Sequence, residues 1–87
     1  MSGSSKFTIE VLYNGTTESI SVQPHEQVTA VLARAENDFH ITQNRHLYGL
    51  FLQNGTELND QQSLEEAGVT PHQIVLLRQS TVRGGVR

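Results

Sequence analysis

The sequence predicts an α+β domain: a mixed sheet of four to five strands, one main helix packed on one face, and a short helical turn before the last strand. Three observations carry that prediction. Phe7, Ile9 and Val11 alternate with Thr8 and Glu10, and Ile20 and Val22 alternate with Ser19, Ser21 and Gln23, on either side of Asn14-Gly15. Val28, Val31, Leu32, Ala35 and Phe39 then recur at helical spacing. Apolar runs return at 47–52 and 74–77, with Ser63-Leu64-Glu65-Glu66 between them.

The first two segments read as a hairpin, because a type I′ turn needs positive φ at both central residues and Asn-Gly supplies it. Pro24 ends the second strand, having no N–H to donate. The apolar stripe predicts a helix over 27–39. Glu26 sits near its positive end, and Thr29, Arg34, Glu36 and Asn37 fall on the side expected to be wet. The run 47–52 is a third strand of undecided register, since Leu47, Tyr48, Leu50, Phe51 and Leu52 can serve both faces. Asn54-Gly55 marks a second turn, and Leu58 a very short strand. The Ser63/Glu66 spacing is that of a capping box, which starts a single helical turn stopped at Gly68. A turn over 70–73 leads to the last strand, 74–77. The organisation expected is a disordered leader at 1–6, one domain at 7–79 and a flexible tail at 80–87.

Composition narrows the function. With 87 residues there is room for one small domain, and a deep catalytic cleft with its supporting shell is hard to fit. The reading is therefore of a binding or carrier protein, not an enzyme. The net charge of −3 argues against nucleic-acid binding. No apolar run is long enough to span a membrane, and residues 1–6 lack the apolar stretch of a secretory signal. Zero cysteines remove disulfides, thiolate metal sites and a thiol nucleophile. His25, His40, His46 and His72 are scattered, without the short paired spacing of a metal site, so neither metal nor cofactor is expected. The two Asn-Gly-Thr triplets match the glycosylation acceptor pattern but read better as turns. Charge is uneven along the chain. Residues 74–87 hold three arginines and no acid, +3, and the remainder holds three basic and nine acidic side chains, −6.

The element order, followed by Val82-Arg83-Gly84-Gly85, resembles ubiquitin and the β-grasp modifiers over nearly the whole chain, from Phe7 to Gly85. Val22-Gln23-Pro24 before the helix, the stretch 52–58 and the stretch 63–69 look like that family in the same order. The lack of cysteine and the two residues after Gly85 are similar to bacterial ubiquitin-like modifiers, whose conjugation operons include antiviral ones. The resemblance implies a cytoplasmic, monomeric protein modifier that is a substrate of enzymes. Its partners would be an activating enzyme, a conjugating enzyme, a JAB-type peptidase and target proteins. The Gly85 carboxylate would be adenylated by ATP, passed as a thioester between enzyme cysteines and delivered to an amine.

Glycine suits that chemistry. A chain without Cβ threads a narrow channel and crowds the attacking group least. Gly84 is then the slim spacer, and Arg83 a recognition charge able to pair with a partner carboxylate. The resemblance implies that Val86-Arg87 would make the chain a precursor, to be cut between Gly85 and Val86. Lys6, the sole lysine, is the side-chain acceptor for any self-polymer. Such domains meet partners on the outer sheet face, which implies as contact residues Tyr13, one parity of Tyr48/Leu50/Leu52, and Leu77 or its neighbours, with Arg45 and Arg78 as a basic rim. Two other functions fit the same residues. One is a sulfur carrier whose terminal glycine becomes a thiocarboxylate, and the other is a ubiquitin-like docking domain that never conjugates.

Overall fold

A computed structural model describes residues 6–80. Strand β1, Phe7–Tyr13, pairs antiparallel with β2, Thr16–Val22, in an unbroken register from Phe7 opposite Val22 to Tyr13 opposite Thr16. The turn between them has Asn14 at φ 52° and Gly15 at φ 84°, the two positive angles of a type I′ turn. The chain then enters helix α1, Val28–Asp38. No side chain caps its start. The free donors of its first turn go instead to the loop at 60–62: Val28 N–H donates to the Gln62 carbonyl and Thr29 N–H to that of Asp60. Glu26 accepts the Gln23 N–H at 2.8 Å and pairs with Arg34 at 3.0 Å, closing the entry to the helix.

A 3₁₀ turn, Arg45–Leu47, leads into β3, Tyr48–Phe51. The last strand, β4, is Ile74–Gln79. It runs parallel to β1 and antiparallel to β3, giving the order β2-β1-β4-β3. First and last strands thus lie side by side at the centre, and α1 covers one face. The sheet has four strands among the described residues. Leu58 does not build a fifth. Only an isolated bridge joins Phe51 to Glu57, while Leu58 N–H reaches the Leu50 carbonyl and its side chain enters the core. At the second Asn-Gly only Gly55 has positive φ, 95°, and Leu52 N–H bonds the Thr56 carbonyl around a three-residue loop.

The capping box forms as expected, with Ser63 N–H on Glu66 Oε1 at 2.9 Å and Glu66 N–H on Ser63 Oγ at 3.1 Å. Gly68, at φ 84°, ends that turn. The core beneath α1 is built from Ile9 and Val11 of β1, Ile20 and Val22 of β2, Val28, Val31, Leu32 and Ala35 of α1, Leu50, Val75 and Leu77, closed by Leu58, Leu64 and Val69.

Two expectations are corrected. Glu36 is not on a wet side of the helix. It is buried, because the 3₁₀ turn brings the Arg45 Nε to its Oε1 at 3.1 Å. Ser80 does not begin a loose tail. It is 3% exposed and its N–H bonds the Leu47 carbonyl just ahead of β3, so the fold extends past residue 79.

Candidate partner surface and base of the tail

The strand registers decide which side chains face away from α1. In β4, Val75 and Leu77 point into the core, so Ile74, Leu76 and Arg78 point outward. Leu12 of β1 pairs with Leu76, and Leu76 pairs with Phe51 of β3. Leu12, Leu76 and Phe51 therefore form one apolar row across three strands on the outer face. Phe51 is buried yet lies outside the core cluster. What covers it is Arg78, whose guanidinium carbon sits 4.4 Å from the ring centroid. Beside the row, Ile74 adds a further apolar side chain, and Glu10 accepts a hydrogen bond from Ser19 Oγ at 2.9 Å.

Of the contact residues expected by name on this face, only Arg78 is there. Leu50 and Leu77 are core residues opposite one another in the β3–β4 pairing. Leu52 and Tyr13 pack against the core from the helix side. The third strand presents the parity of Gly49 and Phe51 outward, not that of Tyr48, Leu50 and Leu52. Arg45 is no rim residue either, being held to Glu36 and to the Ala33 carbonyl on the helix. Leu12 and Phe51 were missed, and Leu76 stood only among the neighbours of Leu77. The available signal was Arg78 itself: an arginine in the last strand marks the outward parity, and Leu76 shares it.

Tyr13 belongs to an aromatic cluster at one end of the sheet. Its ring lies 5.1 Å from that of Phe39 and 6.0 Å from that of Tyr48, and the two tyrosine hydroxyls are 3.5 Å apart. The hydrogen bond with Tyr48, with burial second, raises the Tyr13 pKa above its ordinary 10.0.

Lys6 is exposed beside the start of β1. With Phe7, Pro24, Val69 and Pro71 it lines a groove of about 430 Å³. Arg83, Gly84, Gly85 and Val86 lie outside the described residues. The described chain stops at Ser80, five residues before Gly85. Among the described residues, no helix is long and apolar enough to cross a membrane.

Solved structures share this architecture. A de novo designed protein based on ubiquitin superposes with a TM-score of 0.76 at 20% identity, covering 93% of this chain and 96% of that one. The ubiquitin-like domain of an Arabidopsis thaliana protein superposes with a TM-score of 0.73 at 17% identity, covering 94% and 85%. No family model and no curated protein matches the chain. The fold is a ubiquitin-like β-grasp, and at these identities the likeness speaks for the fold alone.

Proposed function

We propose that this chain is a ubiquitin-like protein modifier precursor, cut after Gly85, activated at the Gly85 carboxylate and joined to amines of target proteins. The observation that carries the reading is the placing of Val82-Arg83-Gly84-Gly85 directly behind the central strand of a β-grasp sheet. From Ser80 to Gly85 is five residues, a reach of at most about 17 Å when extended. That segment contains no acid and carries Arg83 just ahead of the glycines.

The chemistry runs in five steps. A peptidase of the JAB type hydrolyses the Gly85–Val86 bond and leaves a free carboxylate. That carboxylate attacks the α-phosphorus of ATP and pyrophosphate leaves. A cysteine thiolate of the activating enzyme displaces AMP, and the thioester passes to a conjugating enzyme. A target amine then displaces the thiolate, forming an amide and losing a proton. The protein supplies no catalytic group to these steps. It supplies a slim terminus and, in this reading, the Leu12–Leu76–Phe51 row with Arg78 as the surface by which the enzymes hold it. The work takes place in the cytoplasm, where ATP is available.

Trypsin provides the test. It cuts after Arg83, so a target joined through Gly85 keeps a Gly-Gly remnant on the modified amine. Native cells should yield such peptides, and they should vanish when the chain is replaced by its Gly85→Asp variant. Remnants absent in both would contradict conjugation. A Gly85 mass shifted by oxygen-to-sulfur exchange would move the reading to a sulfur carrier.

A further inference from the structure

Three segments converge on Ser80. Its N–H donates to the Leu47 carbonyl at 2.7 Å, one step beyond the Tyr48–Gln79 pair that ends the β3–β4 ladder. Its hydroxyl donates to Glu57 Oε1 at 2.8 Å. Glu57 is held in turn by its bridge to Phe51, next to the Leu58–Leu50 hydrogen bond. The two residues before Ser80, Arg78 and Gln79, are exposed, so the strand's last deep anchor is a serine side chain. A buried hydroxyl facing a carboxylate makes a charge-assisted bond, and either group left alone there carries a desolvation cost.

We infer that the Ser80–Glu57 pair is a latch that fixes the point from which the diglycine tail departs, making Ser80 a positioning residue for chemistry at Gly85. This rests on the modifier reading above. With the latch closed, the chain leaves the sheet from a fixed Ser80. With it open, the end of β4 frays back toward Arg78 and that point of departure is lost. The tie lies at the end of the sheet, where opening does not require the core to unfold.

The test uses the full chain and four versions of it: wild type, Ser80→Ala, Ser80→Thr and Glu57→Ala. Trypsin cutting at Arg78–Gln79 reads the latch, because that bond must leave the ladder to be cut. Ser80→Ala and Glu57→Ala should each speed that cut about tenfold, as expected for losing one hydrogen bond to a charged group. Low urea should barely alter the rate, since a local opening exposes little surface. Ser80→Thr, which keeps the hydroxyl, should cut close to the wild-type rate. Unchanged cutting in Ser80→Ala, or cutting that rises only in step with global unfolding, overturns the latch. The second readout is trimming to Gly85 in an extract of the native cells, expected to be several-fold slower for Ser80→Ala and restored in Ser80→Thr. Equal trimming of both overturns the positioning role. Wild-type chain that is never trimmed sinks the modifier reading and the positioning role with it, while the trypsin result still decides the latch.

Discussion

The Arg78 guanidinium lies over the Phe51 ring, 4.4 Å from its centroid, on the sheet face away from the helix. An arginine often read as a solvated charge is here the cover of a large apolar side chain. Removing it by Arg78→Ala should lower the unfolding free energy by about 0.5–1 kcal/mol, the range of an exposed cation–π contact. Urea denaturation of the two proteins measures it, and an unchanged midpoint would deny the contact any weight.

Leu76 and Leu77 are sequence neighbours on opposite faces. Leu77→Ala opens a cavity under the helix and should cost about 2–5 kcal/mol. Leu76→Glu places a charge on the outer face and should leave a folded protein that fails to capture its activating enzyme from native extract. A folded Leu76→Glu that still captures it would remove the Leu12–Leu76–Phe51 row from the docking account.

Gly15 has open space where a Cβ would point, yet its φ is +84°. Gly15→Ala should therefore destabilise through backbone conformation alone, by about 1 kcal/mol. A thermal or urea midpoint equal to wild type would contradict the type I′ turn.

Tyr13 gives the fold a defined response to alkali. Its hydroxyl keeps the proton to higher pH in the fold than in the unfolded chain, chiefly through the Tyr48 hydrogen bond. Above pH 10.0 the folded state binds more protons than the unfolded state, so stability falls as pH rises from there through the raised value. Below pH 10.0 this contribution is fully present. Urea midpoints between pH 8 and pH 11 should show the loss, and Tyr13→Phe should remove that part of the slope. With only two tyrosines in the chain, tyrosinate absorbance can follow both groups directly.

Lys6 is the chain's one lysine and is exposed. Lysine-linked ladders of the protein, if conjugating enzymes make them, should be lost in Lys6→Arg. Ladders that persist would place the linkage on the N-terminal amine.

The parts of the fold legible in the sequence are those where one side of an element is apolar and the other polar. Ile9 and Val11 against Thr8 and Glu10 announce a strand and its inward face. The stripe from Val28 to Phe39 announces a helix. The residues from Leu47 to Leu52 do not, because β3 has apolar side chains on both faces: Leu50 fills the core and Phe51 covers the outer sheet. Its register is set from outside, by pairing with β4, and no local pattern shows that pairing. Glu36 and Ser80 were misplaced for a related reason. Each is a polar residue made buriable by a partner distant in sequence, Arg45 and Glu57 respectively. The diglycine, in contrast, is visible only as sequence, and its meaning comes from the fold that stands before it.

The most direct test of the central claim is the intact mass of the protein isolated from its native cells. The account predicts a population whose last residue is Gly85, with a free carboxylate and nothing beyond it. A terminus at or past Val86 in every species would leave Gly85 inside a peptide bond, without a free carboxylate to activate, and would make this β-grasp a docking domain instead.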